Sequence, residues 1–317
     1  RLQVEILAEI LEYYMVSGIR MLARSLNVAC RLRHAIRQTR NHYSLAEIKE
    51  EFSVFQGGNV NLDFHEESGV ATVTLQNPER KNAISGHMMG QMLEIVDQLE
   101  NWTNGKGLLI KAEGDFFCSG GDLKTVKGLL SREHAKKMSF LMHCVTTRIS
   151  KLPMISVAII NGPALGGGAE LTTVCDYRIF SPIGKVGFVQ ANMGVITGWG
   201  GGTRLVQLVG HRMALELMLT CKIINSTYAY NIGLADHITT SEDAHKEGLE
   251  WLLARITHAP HVIAAIKRTI IASRDSTAAI SLCEERENFI PLWGGNLHQK
   301  ALTSKKKHIK ASEMPKP

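Results

Sequence analysis

No stretch of this chain reads as a membrane span. A span needs about eighteen consecutive apolar residues, and no such run occurs. Metal ligation has no support in the spacing either. The six cysteines lack the short paired spacings of a zinc site, and no His/Cys/Asp cluster has ligand spacing, so no metal is expected. Cys118, Cys144, Cys175, Cys221 and Cys283 sit in apolar or turn surroundings. A chain of 317 residues has core enough to do without disulfide staples, which predicts free thiols in a reducing compartment. The expected location is the cytosol, with the mitochondrion as the alternative. Aromatics are scarce at 6% and do not interleave with basic residues, so the usual signature of a nucleic-acid surface is missing. Acidic residues are absent between Glu12 and Glu47, where Arg20, Arg24, Arg31, Arg33, Arg37 and Arg40 fall. Such an Arg-rich, acid-poor stretch matches a transit peptide, although Glu5, Glu9 and Glu12 precede it. Residues 1–56 are read as an N-terminal extension, helical or partly disordered.

What the chain does have is glycine in clusters. The apolar run Met154 to Ile160 reads as a buried strand, and Asn161-Gly162-Pro163-Ala164-Leu165-Gly166-Gly167-Gly168-Ala169-Glu170 follows it. Three successive glycines at a strand-to-helix turn leave backbone N–H groups open and let a ligand approach closely. Glu170 stands three positions past Gly167. A second strand, Gly107 to Ala112, leads into Phe116-Phe117-Cys118-Ser119-Gly120-Gly121-Asp122. An oxyanion site needs two convergent donors, and two strand-end turns supply one each. Open α/β folds place ligands at such strand ends.

The remaining pattern is strand, strand, helix, then strand-helix repeats. Leu62 to His65 and Val70 to Leu75 read as strands paired across Ser68-Gly69. Ser85 and Ser131 are N-cap residues for two amphipathic helices. Asp122 reads as a cap or loop brace, and Asp176 and Arg178 as a scaffold pair. The fold class is α/β, with a core over residues 57–240, C-terminal helices over 241–300 and a basic tail over 301–317. The formal net charge of +6 favours anionic partners.

These motifs resemble the crotonase, or enoyl-CoA hydratase/isomerase, superfamily. Asn77-Pro78-Glu79-Arg80-Lys81-Asn82-Ala83 is similar to its opening CoA-binding turn. Gly194-Val195-Ile196-Thr197-Gly198-Trp199-Gly200-Gly201-Gly202 is similar to its later glycine-rich loop, and Gly233-Leu234-Ala235-Asp236 to the segment before its C-terminal helices. The resemblance implies a ββα spiral with a C-terminal helical region, assembled as a homo-trimer or hexamer. It implies an acyl-CoA thioester as substrate, no separate cofactor, and no membrane partner. The backbone N–H groups of Ser119 and Gly167 are the implied oxyanion donors. Glu170 is the implied catalytic carboxylate, either as proton donor or as the group that orients substrate. Arg80, Lys81, Ala83, Phe117 and Gly121 are the implied CoA contacts, and Gln190, Val189, Ile196 and Trp199 the pocket. Family hydratases use a second glutamate, and this chain has Gln190 at that position. An amide cannot serve as a general base, so the expectation moves from hydration to decarboxylation of a malonyl-type thioester, where loss of CO₂ itself generates the carbanion. Trp102 to Gly107 and Trp293-Gly294-Gly295 carry the resemblance toward members that act on ethylmalonyl-CoA and, less well, methylmalonyl-CoA, as metabolite repair in fatty-acid metabolism. The alternatives are an enoyl-CoA hydratase, an acyl-CoA hydrolase, or an inactive CoA- or RNA-binding protein of the same fold.

Overall fold

The computed structural model describes residues 44–304 apart from Glu242. The expected extension over 1–43, including its arginine cluster, and residues 305–317 of the basic tail lie outside the described residues. Helix α1 (Leu45–Ser53) precedes the hairpin β1 (Asn59–His65) and β2 (Val70–Gln76). Then follow α2 (Gly86–Asn101), β3 (Gly107–Ala112), α3 (Leu123–Gly128) and α4 (Arg132–Lys151). The next block is β4 (Ile155–Ile160), β5 (Pro163–Leu165), α5 (Gly167–Thr172), β6 (Tyr177–Phe180) and β7 (Lys185–Gly187). After a short 3₁₀ turn come α6 (Gly201–Thr220), β8 (Ile224–Asn225), α7 (Ser226–Asn231) and β9 (His237–Ile238). Four helices end the described residues: α8 (Ala244–Leu253), α9 (Pro260–Asp275), α10 (Ala278–Phe289) and α11 (Asn296–Thr303).

The strands form a six-stranded sheet, ordered β1-β2-β3-β4-β6-β9, and a three-stranded sheet, β5-β7-β8. The β1–β2 pair is antiparallel, as the turn at Ser68-Gly69 predicts. From β2 onward the large sheet is parallel, with Val73 beside Ile110 and Leu109 beside Val157. Parallel strands need helical crossovers that cover both faces. The burial shows this: β4 is buried from Ser156 to Ile160. On one face Val70, Leu109, Val157, Ile159 and Ile179 pack against Leu252, Ile256 and Ile263 of the C-terminal helical region. Ser85 and Ser131 do cap α2 and α4, accepting from Met88 N and His134 N.

Two expectations need correction. The folded core does not begin at Gly57. Helix α1 buries Ile48 and Phe52 against the body, and a Cβ on Gly86 would stand 2.2 Å from Phe52 O. Nor do the Asp176 carboxylate and the Arg178 guanidinium form an ion pair; Arg178 Nη2 donates to the Asp176 backbone O, at 3.1 Å. Arg178 bonds Asp236 at 2.8 Å, and Asp176 bonds the buried Lys267 at 2.7 Å. The second pair ties α9 to the parallel sheet, a link between segments 91 residues apart that local sequence does not reveal.

The two glycine turns are stitched to each other. Phe117 N and Cys118 N donate to Pro163 O, and Leu165 N donates to Cys118 O at 2.8 Å. A Cβ on Gly168 would stand 2.0 Å from Cys118 O, and one on Gly162 would stand 1.9 Å from Asp115 O. Both clashes are with backbone, which cannot swing away. Gly168→Ala is therefore expected to cost about 1–3 kcal/mol of stability, the usual range for overpacking, read as a lower urea midpoint at unchanged slope.

Candidate active site

The first turn is set by Asn82. Its side chain, fully buried, accepts from Asn77 N at 2.7 Å and donates to Glu113 O and Phe116 O at 2.7 Å each. Lys81 and Asn82 both have positive φ, 54° and 53°; Asn tolerates this region better than most residues. The turn formed this way presents Lys81 O to Ser119 N at 2.9 Å. This corrects the expected donor: the Ser119 N–H is already engaged. Ile84 N donates to Gly120 O, and Asp122 N donates to Ile84 O. The Gly121 N–H, between those two bonds, has no acceptor among the described residues, and neither has the Gly167 N–H. In a parallel bridge the two neighbours of a residue make the bonds and the residue itself points its own groups the other way. Gly121, expected as a CoA contact, thus supplies the open donor that was assigned to Ser119. The two turns lie close together: a Cβ on Gly120 would stand 3.1 Å from Gly167 N.

Glu170 is only 2% exposed, yet its carboxylate is fully engaged. Oε1 accepts from Gln190 Nε2 at 3.0 Å and Gly198 N at 3.2 Å. Oε2 accepts from Trp199 N and Gly201 N at 2.8 Å each. Three of these donors belong to the loop that opens α6, and one of them, Gly201 N, is a first-turn helix group with no intrahelical partner. Gly201 must be glycine, because its Cβ would stand 2.4 Å from Glu170 Cγ. Gln190 bonds Glu170 directly, and the carboxylate orients the amide. Its Oε1 is buried without a partner among the described residues.

Arg204 braces the same loop from behind. It donates to Trp199 O at 2.8 Å and to Thr173 Oγ1 at 3.0 Å. Thr146 Oγ1 of α4 donates to Trp199 O at 3.1 Å. Burial lowers Arg204 to about 10, and the charge of Glu170 opposes that shift. With its backbone held on both sides, Trp199 is 5% exposed. Its indole lies on Gly167, where a Cβ would meet Cζ3 at 2.5 Å, and reaches Gly121, where one would meet Cζ2 at 3.9 Å.

The other expected residues separate. Val189 is half-buried beside Gly166, its Cγ2 4.0 Å from where a Cβ would be. Ile196 is 79% exposed. Phe117 and Ala83 are buried in the core, so their side chains offer a ligand no contact. Arg80 is paired with Asp122 at 2.9 Å, while Asp122 also caps α3 as expected, accepting from Lys124 N and Thr125 N. Lys81 does line a groove of about 520 Å³, with Phe116, Leu165, Lys185 and Ile223. Its Nζ lies 5.0 Å from the Phe116 ring centroid. Lys185 was missed in the sequence because it lies on a three-residue strand far from any motif. Cys118 is no nucleophile, since burial pushes its thiol up to about 12 against a weaker bond with Gly120.

Comparison with known proteins bears on this geometry. The sequence model of the enoyl-CoA hydratase/isomerase family matches residues 65–307. This chain belongs to that family. Among its relatives, the ethylmalonyl-CoA decarboxylase of Homo sapiens is 41% identical over 267 residues, covering 83% of this chain and 87% of that one. The enzyme of the same name from Mus musculus is 38% identical over 296 residues, covering 92% of each. The fold is that of solved family structures: an enoyl-CoA hydratase from Bacillus anthracis superposes with a TM-score of 0.71 at 24% identity, over 77% of this chain and 94% of that one. Crotonase-family enzymes act on CoA thioesters, and this chain carries the family's α/β core with both glycine turns.

One consequence concerns the brace. Arg204→Met removes donors from Trp199 O and Thr173 Oγ1 and leaves buried acceptors short of partners. A loss of about 1–3 kcal/mol is expected, measured by urea unfolding.

Proposed function

We propose that this protein removes CO₂ from ethylmalonyl-CoA, and less readily from methylmalonyl-CoA. The observation that carries this reading is the direct 3.0 Å bond between Gln190 and Glu170. A hydratase needs a water held between two carboxylates. Here the second carboxylate is an amide, and it bonds the first one with no room for a water between them. The likeness to ethylmalonyl-CoA decarboxylases supports the same reaction class.

The chemistry needs little more than the open donors. The thioester oxygen accepts from Gly121 N–H and Gly167 N–H. The bond between the α-carbon and the carboxylate breaks, and its electron pair becomes the enolate, whose negative charge rests on the thioester oxygen. CO₂ leaves, a proton from solvent returns to the α-carbon, and ethylmalonyl-CoA becomes butyryl-CoA. Donors fixed before reaction lose no energy to reorientation, and one such donor is worth about 3–4 kcal/mol of barrier. The CoA phosphates are assigned to the groove that bears Lys81 and Lys185. Helices α9 and α10 and the turn after α10 expose Ile266, Ile270, Leu282, Phe289 and Trp293, and a cavity of about 980 Å³ lies among α9–α11 and their connecting turns. Apolar exposure on this scale fits an oligomer interface, in keeping with a trimer or hexamer.

The direct assay is ethylmalonyl-CoA with chelator present. Butyryl-CoA and CO₂ are expected in equal amounts; hydration of crotonyl-CoA without CO₂ release sinks the reading. Lys81→Ala and Lys185→Ala are each expected to raise KM severalfold, more at low salt than at high, with kcat nearly unchanged. Equal KM values in mutant and parent would remove the groove from CoA binding.

A further inference from the structure

Glu170 spends both oxygens on N–H donors. Gln190, Gly198, Trp199 and Gly201 all donate to it, and a group with four donors around it is built to accept. What the contacts accomplish is placement of Trp199. The Trp199 backbone is held at its N–H by Glu170 and at its carbonyl by Thr146 and Arg204. The indole is thereby pinned on Gly167, with its Cζ2 edge toward Gly121. A side chain other than glycine at position 167 would collide with the ring, so the glycine and the tryptophan are complementary.

The position of the ring has a chemical meaning. The α-carbon of a malonyl-type thioester is bonded to the carbon whose oxygen occupies the oxyanion site. The α-carbon is therefore two bonds from that oxygen, and the first atom of any α-substituent is three. A ring that packs on one donor glycine and stands beside the other is a wall against the α-substituent. It is rigid, because a 95%-buried indole with a doubly held backbone has nowhere to turn.

We propose that Trp199 is the specificity-determining residue for the α-substituent, and that Glu170 is a positioning residue acting through it. This rests on the decarboxylase reading for its substrates, but not for its geometry. A methylene against a rigid wall changes discrimination by about 10–200-fold.

The test uses the malonyl thioester series with hydrogen, methyl, ethyl and propyl at the α-carbon. Trp199→Ala is expected to shift the kcat/KM ratio of propyl to methyl by at least about tenfold in favour of propyl. Trp199→Phe should return most of the parent order. Glu170→Gln should shift the same ratio in the same direction and change the near-UV circular dichroism of the tryptophans. If Trp199→Ala lowers kcat equally for all four substrates, the specificity role is wrong. If Glu170→Gln abolishes turnover with the ratio of bound analogues and the dichroism unchanged, Glu170 handles the proton itself and the positioning role is wrong. Non-reacting butyryl-, hexanoyl- and 2-methylbutyryl-CoA separate this inference from the reaction class. Should the parent decarboxylate none of the series, the decarboxylase reading fails. The inference then stands or falls on whether Trp199→Ala and Glu170→Gln both tighten binding of the branched analogue relative to butyryl-CoA.

Discussion

The buried carboxylate of Glu170 is the interaction on which the site depends. A charge in the interior is costly unless it is hydrogen-bonded on all sides. Here the compensation comes from backbone N–H groups at the start of α6 and from the Gln190 amide. The need runs both ways, because the first N–H groups of a helix have no partner of their own. One carboxylate and one helix start thus satisfy each other across a separation of 31 residues. Charge-assisted bonds of this kind are stronger than neutral ones. The glycines of the loop follow from the same constraint: Gly200 takes φ 83°, and Gly201 leaves space for the glutamate stem. Arg204 adds a positive charge behind the assembly without touching the carboxylate oxygens.

The open donors arise from a second constraint. Stitching the two glycine turns together uses some backbone groups and leaves alternate ones bare. Cys118, Ser119 and Asp122 donate within the protein, and Gly121 does not. Gly121 and Gly167 are both half-buried, so their open N–H groups are within reach of a ligand. Two such donors at neighbouring positions mark the place where a ligand oxygen completes the count. The turns are held by the surrounding bonds, those of Asn82 above all, whose amide joins three backbone groups of two loops.

Much of this architecture is legible in the chain. Ser85, Ser131 and Asp122 cap the helices they announce, because a cap is a local bond between residues two or three positions apart. The hairpin at Ser68-Gly69, the strands before each glycine turn and the absence of a long apolar span are equally local. Features read through a single spacing were less secure. Ser119 and Gly121 are two positions apart in one turn, and only the bond from Ser119 N to Lys81 O separates the engaged donor from the open one. Ile196 sits in the right loop but faces outward.

The sequence by itself determined the α/β class, the opening strand-strand-helix with its strand-helix repeats, the family, and the presence of two donor turns with a single glutamate beside them. Each of these rests on contacts within a few residues or on a contiguous motif. Only the tertiary structure decided which amide points into the site, that Gln190 bonds Glu170, that Trp199 lies across both turns, and that Lys185 joins Lys81 in one groove. It also decided the partners of Asp176 and Arg178 and carried the core back to Leu45. These are contacts between segments remote in the chain. Their geometry is set by how sheets and helices stack, and no local pattern encodes it.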